Sequence, residues 1–309
     1  LTRIFQKCQN FIKQYSSRSR SMALQAKVIA GLSKRDEFPL VPKKSALVVI
    51  DIQRYLSEEP SEGEGDASKE SHYLYNQALP SAIDKINDLV TAFRSIRDDS
   101  NASGGCEVIF CYLQSATNNG RDISLDYKLS GPKLTNIPTL STPENELFLE
   151  KLKPNTIDGK GDILLPKTSR SVFVSTNLDY MLRNLGIEQI VLTGQLTDQC
   201  VESAVRDAAD LNYFVTLAED ACAATSRENH DKGLHGAKGF ARIVSTQQVL
   251  NELAQATGKD AKSESKPDRG FSKEPTDANV LEYLKSRGLD SAVQEVQQYV
   301  QDPKRQKIA

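Results

Sequence analysis

Residues 187–208 read IEQIVLTGQLTDQCVESAVRDA. The first eight form a mostly apolar run that closes on Gly194, the pattern of a strand buried on both faces. The pattern then turns helical through DQCVESAVRDAADLN. Cys200 therefore stands just past a strand end, at the mouth of a helix. Such a cysteine can be a small apolar filler or a nucleophile, and position alone leaves both open.

Outward from this stretch the same alternation recurs. ALVVIDIQ and CEVIFCYLQ are continuous apolar runs and read as strands. LPSAIDKINDLVTAFRSIRD places Ile83, Ile86, Leu89, Val90, Phe93 and Ile96 on one helical face. DILLPKTSRSVFVSTNLDYMLRNLG reads as short strand, loop and helix, with Gly186 as the helix stop. YFVTLAEDAC is another strand, SRENHDKGLHGAKGF a helix and ARIVST a last strand. The stretch from Ser115 to Thr156 shows no regular pattern. Alternation of this kind predicts an α/β fold, a parallel β-sheet flanked by helices on both faces. In such folds sites lie at the carboxyl ends of strands.

Composition narrows the function class. The chain has 309 residues, 39% hydrophobic and 26% charged, with a net charge of −2. No global field favours nucleic acid or an anionic membrane, and no apolar run approaches the roughly 18 residues of a membrane span. The expected partner is a small molecule. Five cysteines, irregularly spaced and without a CxxC pair, argue against a disulfide framework or zinc site and for a reducing, cytoplasmic compartment. Only His72, His230 and His235 could serve as histidine ligands.

Three reactive residues fall at predicted strand ends: Asp51 after ALVVI, Lys167 after DILLP and Cys200 after IVLTG. A buried acid needs a partner. A helix start and a nearby lysine lower a thiol's pKa and favour the thiolate. A neighbouring carboxylate can take the thiol proton and return it to a leaving group. Backbone N–H groups at the turn can hold an oxyanion. Taken singly, each residue also has a plain reading: a buried structural thiol, a surface lysine, an acid that caps a helix or binds a metal. Thr197 and Asp198 read as capping residues, Phe173 as core packing, and Gln53 as an amide on the same side of the chain as Asp51.

ALVVIDIQ, LPKTSRSVF…TNLDYMLRNLGIEQIVLTG and TDQCVESAVRDAADLNYFVTLAEDAC together resemble the isochorismatase-like cysteine hydrolase superfamily over about residues 44–250. Its members include nicotinamidases, N-carbamoylsarcosine amidases, ureidoacrylate and biuret hydrolases, and isochorismatases. The resemblance implies a Rossmann-like three-layer fold and a catalytic triad of Asp51, Lys167 and Cys200. It also implies a cis peptide at Gln195–Leu196, which turns the Leu196 N–H to join that of Cys200 in an oxyanion hole. The histidines of the nicotinamidase metal site are missing after both early strands, so no metal and no cofactor are expected. Retention of the cysteine favours amide-type substrates: a C–N bond in a small amide, ureide or carbamoyl compound, cleaved through a thioester. Isochorismate pyruvate-hydrolase and a non-catalytic scaffold of the same fold stand as alternatives. Gln53, Arg121, Tyr127 and Gln195 are candidate substrate contacts, with Asp122 and Lys128 beside them in NNGRDISLDYKLSG.

The implied hydrolase domain spans residues 44–256. Residues 1–43 form a basic extension, rich in Lys, Arg and Ser before the first acid, Asp36. This resembles a mitochondrial or plastid transit peptide, the alternative to a cytoplasmic location; a disordered tail or untranslated leader upstream of Met22 is the other reading. Residues 257–276 read as a linker and 277–301 as a small C-terminal helical hairpin with apolar stripes, among them Leu281, Leu284, Val293 and Val296. So small a pair needs a surface to dock on, which predicts a role in a homo-oligomer.

Overall fold

A computed structural model describes residues 38–59, 72–98, 106–129, 137–156 and 161–257. The basic segment through residue 37, and the linker and helical hairpin predicted beyond residue 257, lie outside the described residues.

Strands β1 (Ser45–Ile50), β2 (Glu107–Leu113), β3 (Ile163–Lys167), β4 (Gln189–Gln195), β5 (Phe214–Ala223) and β6 (Arg242–Val244) form one sheet in the order β3-β2-β1-β4-β5-β6. Every pairing is parallel. The longer helices are α1 (Leu79–Arg97), α2 (Leu125–Leu129), α3 (Leu178–Asn184), α4 (Glu202–Asp210), α5 (Arg227–Ala237) and α6 (Thr246–Thr257). The stretch predicted to be irregular thus contains α2, and also a helical turn at Glu144–Leu147. None of the described helices is long and apolar enough to cross a membrane.

Period-two alternation sorts each central strand between two cores. Leu47 and Val49 of β1 join Leu79, Ile86, Leu89 and Phe93 of α1 and Val249 and Leu253 of α6. Ala46, Val48 and Ile50 join Leu178 and Leu182 of α3 and Ala204, Val205 and Ala208 of α4. Both faces of β1 are covered, which is why its sequence is apolar without a break. On α1, Ile83 and Ile96 pack at the rim of the predicted face and Leu79 and Ala82 extend it into the core.

β3 is an edge strand, and that position tolerates Pro166, which has no N–H for a second neighbour. Lys167 is its last residue, paired with Leu113, rather than the first residue after it. Between β1 and β4, Gly194 lies opposite Ile50 with φ 119°, and a Cβ there would collide with the Ile50 carbonyl oxygen. Only glycine lets the two strand ends approach this closely. Helix α6 went unread in the sequence, although Val249, Leu250 and Leu253 have helical spacing. Phe38 and Leu40, upstream of the expected boundary at residue 44, are buried; Phe38 lies against Phe214 with ring centroids 4.9 Å apart.

Candidate active site

The chain runs outward from β1 to β3, then crosses back to β4 and runs out the other way. The carboxyl ends of β1 and β4 therefore flank the point where strand order reverses, the place where such sheets open a crevice. Asp51 follows β1 at φ 59°, a left-handed conformation that aspartate accepts better than most residues. Its N–H donates to the Cys111 carbonyl at 2.8 Å. Lys167 ends β3. Cys200 lies in a π-helical turn, Thr197–Val201, that leads into α4. The Gln195–Leu196 peptide before that turn is cis, and the Leu196 carbonyl accepts from the Gln199 N–H at 3.0 Å and the Val201 N–H at 3.2 Å.

Lys167 is fully buried and sits at the centre. Its Nζ lies 2.9 Å from Asp51 Oδ2, donates to the Ser169 carbonyl at 2.8 Å, and lies 3.7 Å from Cys200 Sγ. Tyr127, from α2, completes the cluster: its hydroxyl accepts from Lys167 Nζ at 3.2 Å and lies 3.2 Å from Cys200 Sγ. Arg170 lies over the Tyr127 ring, with Cζ 5.1 Å from the centroid. The same guanidinium contacts Asp126 of α2 and the Gln199 side chain next to the cysteine.

Electrostatics in this cluster follow from missing water. Burial raises the Asp51 pKa above the ordinary carboxylate value, and the Lys167 charge only partly offsets it. The Lys167 ammonium and the Cys200 thiol are its neighbours; no other donor among the described residues satisfies its oxygens. For Lys167, burial works against the charge, but Asp51 and then Cys200 outweigh it and hold the lysine protonated. Burial, followed by the Asp51 charge, pushes the Cys200 thiol up to about 11. That corrects the expectation of a lowered pKa: helix start and lysine are both present, yet desolvation and the neighbouring carboxylate win. Cys200 therefore rests as a thiol. Burial pushes Cys106 and Cys222 up as well, to about 12.

The other predicted contacts separate on inspection. Tyr127 belongs to the cluster. The buried Gln53 amide donates to the Leu113 carbonyl at 3.0 Å and accepts from the Leu113 N–H at 2.6 Å, pinning the loop after β1 to the end of β2. Gln195 is also a brace, donating to the Asp51 carbonyl at 2.8 Å and to Ser57 Oγ at 2.8 Å. Arg121 is exposed, and its guanidinium reaches Asn119 rather than the triad. Asp122 accepts from Ser115 Oγ at 2.6 Å and from the Ala116 N–H at 2.8 Å, and so orders its own loop; Lys128 bonds the Arg121 carbonyl at 2.6 Å. Asp198 makes no side-chain cap at the π turn, and its buried Oδ1 has no partner among the described residues. Thr197 instead bonds His230 Nδ1 at 2.9 Å. Helix α5 seats here because a Cβ on Gly233 would meet the Thr197 and Asp198 backbone at 2.7 Å. Phe173 packs against the core as predicted, its ring stacked on Tyr213 with centroids 6.1 Å apart. Sequence reading passed over Arg170; its only signal there is a basic residue three positions after Lys167.

A doubly wound parallel sheet with Asp, Lys and Cys meeting at its strand ends marks an α/β protein with a buried cysteine-centred site. Residues 45–248 match the Isochorismatase domain, and the chain belongs to the isochorismatase family. It is 40% identical over 93 residues to the uncharacterized isochorismatase family protein YecD of Escherichia coli O157:H7, a match covering 30% of this chain and 50% of YecD. It is 52% identical over 74 residues to the ureidoacrylate amidohydrolase RutB of Agrobacterium fabrum, covering 24% of this chain and 31% of that protein. Against the RutB of Klebsiella pneumoniae it is 28% identical over 199 residues, 61% of this chain and 77% of the relative. The chain thus spans half or less of YecD and of the Agrobacterium protein. A cysteine hydrolase structure from Pseudomonas syringae pv. phaseolicola 1448A shares the fold at TM-score 0.58 and 23% identity, over 72% of this chain and 99% of that one. Among the described residues no group of three or more His, Cys, Asp and Glu is arranged to hold a metal ion.

Proposed function

We propose that this protein hydrolyses a C–N bond in a small amide, ureide or carbamoyl compound through a thioester on Cys200, without a metal. The observation that carries the reading is the buried contact of Asp51, Lys167 and Cys200. Kinship with ureidoacrylate amidohydrolases supports it. Asp51 takes the Cys200 proton as Sγ attacks the carbonyl carbon. The oxyanion is held by the N–H groups of Leu196 and Cys200. Asp51 then passes the proton to the leaving nitrogen, the C–N bond breaks and ammonia or an amine departs. Water, deprotonated by Asp51, attacks the thioester; the sulfur regains its proton and the acid product leaves. Lys167 stays charged throughout and holds Asp51 and the thiolate in one field. The resting thiol makes Asp51 indispensable, since little thiolate exists before the proton moves.

The test is a panel of amides, ureides and carbamoyl compounds scored for ammonia, with isochorismate scored for pyruvate. Ammonia release should fall by at least about 10⁴-fold in Cys200→Ala. Full amidase activity in that variant removes the covalent mechanism, and pyruvate release alone moves the reading to vinyl ether hydrolysis. As part of the same proposal, residues 277–301 serve homo-oligomer assembly. Truncation after Ala256 that leaves the mass by light scattering unchanged per chain removes that role.

A further inference from the structure

The cluster around Cys200 contains a cation that the chemistry above does not use. Lys167 is held by Asp51, the Ser169 carbonyl and Tyr127 in full burial, so its charge belongs to the triad. Arg170 is placed differently. Its side chain is 29% exposed, and its charge reaches both Asp51 and Cys200. It grips a carboxylate already, that of Asp126, whose side chain is 60% exposed on the five-residue helix α2. The next residue, Tyr127, fills the space between the guanidinium and the thiol, with its hydroxyl on Sγ and its ring under Arg170.

Cys200 is 5% exposed and Asp51 1%, and the Tyr127 hydroxyl lies 3.2 Å from Sγ, where a substrate carbonyl would sit. Little apolar surface holds α2 down, because Leu125 and Leu129 are 70% and 76% exposed. Asp126 is the chain neighbour of Tyr127, so a substrate that displaces the tyrosine also disturbs the carboxylate on Arg170, while the Gln199 side chain stays beside the guanidinium. An arginine fork left in a half-buried place favours another carboxylate, which matches it in geometry as well as charge. We propose that Arg170 is a specificity-determining residue that selects an anionic substrate, exchanging the carboxylate of Asp126 for one on the substrate about one aromatic ring's length from the scissile carbonyl. This rests on the reading of Cys200 as nucleophile.

The test needs no knowledge of the natural substrate. N-chloroacetyl-β-alanine and its methyl ester are matched alkylating probes that differ only in the carboxylate. In each case the thiolate displaces chloride, forming the S–C bond and breaking C–Cl, after Asp51 takes the proton. Mass spectrometry of the Cys200 peptide gives the acid-to-ester rate ratio, normalised to the ratio for free cysteine. In the full-length wild type the normalised ratio should exceed one. It should fall by about tenfold in Arg170→Gln, the size of one half-buried charge-assisted contact. Arg170→Lys, which keeps the charge and loses the fork, should fall part of the way. Asp126→Asn, which removes the competing carboxylate, should raise it. A plain structural latch would move Arg170→Gln and Asp126→Asn in the same direction, and that result overturns the proposal. So does a normalised wild-type ratio of one, or a ratio unmoved by either Arg170 variant. Failure of the nucleophile reading shows differently, as no label on Cys200 with either probe, and takes this proposal with it.

Discussion

Two carboxylates of this protein are both shut away from water, and they are surrounded in opposite ways. Asp162, just before β3, has no exposed side-chain surface. It is ringed by donors: Arg94 Nε at 3.1 Å, Arg97 at 2.8 Å and the Asn155 N–H at 2.8 Å. Asp51, equally buried, has one ammonium at 2.9 Å and a thiol. A carboxylate saturated with donors has nothing left to accept and serves as a clasp, tying the end of α1 to the approach to β3. A carboxylate short of donors keeps a raised pKa and lone pairs for a proton in transit. Burial alone does not separate the two acids; the number of donors around each does.

Exchanging the two acids for amides should separate these roles most widely. Asp51→Asn should lower kcat/KM by about 10³–10⁴-fold, the range of a lost general base. Asp162→Asn should leave kcat/KM within about threefold but lower unfolding free energy by roughly 3 kcal/mol, because two arginines lose their counter-charge in a partly buried place. Denaturant titration and steady-state kinetics on both variants check this. Loss of turnover in Asp162→Asn with stability intact would break the comparison.

Titration of the thiol sharpens it. The Asp51 charge raises the Cys200 pKa and the Lys167 charge lowers it, so removing Asp51 alone should bring the thiol down from about 11. The alkylation rate of Cys200 by iodoacetamide, followed against pH, should rise at lower pH in Asp51→Asn than in wild type. Turnover should move the other way, since the variant has more thiolate but no proton carrier. In wild type, kcat/KM should be lost as pH falls through the Asp51 pKa, at a pH above the ordinary 3.8 of an aspartate. An acid limb at or below that value would contradict the starved environment of Asp51.

A smaller effect is expected at Gln53, which holds both polar groups of Leu113. Gln53→Leu should cost about 2–3 kcal/mol, the range for buried backbone groups left without partners. The acid-to-ester probe ratio should not change, because the amide is a brace rather than a substrate contact. The smallest effect should come from chelation. Dialysis against a strong chelator should leave turnover unchanged, and loss of activity together with a stoichiometric metal would overturn the metal-free reading.

Much of the fold was legible in the chain because both faces of the central strands are covered. That forces unbroken apolar runs such as ALVVI and IVLTG, which local pattern reveals. Asp51, Lys167 and Cys200 stood out as reactive side chains at the ends of apolar strands, but local pattern left each with a plain reading, and only the family resemblance grouped them as one site. Helix α6 was missed because it follows a brief last strand and carries few apolar residues, so its period blended into the polar tail.

What the sequence determined by itself is the order of elements and the identity of the residues at strand ends. Both depend on neighbours within one turn or one strand. Tertiary structure decided the rest: that Gln53 and Gln195 brace backbone, that Arg170 lies on the Tyr127 ring while the Tyr127 hydroxyl meets the thiol, and that the thiol rests protonated. Those outcomes depend on partners tens of residues away and on how much water the packed elements exclude. Hydrogen-bond partners and desolvation are properties of the assembled crevice, and no local spacing encodes them.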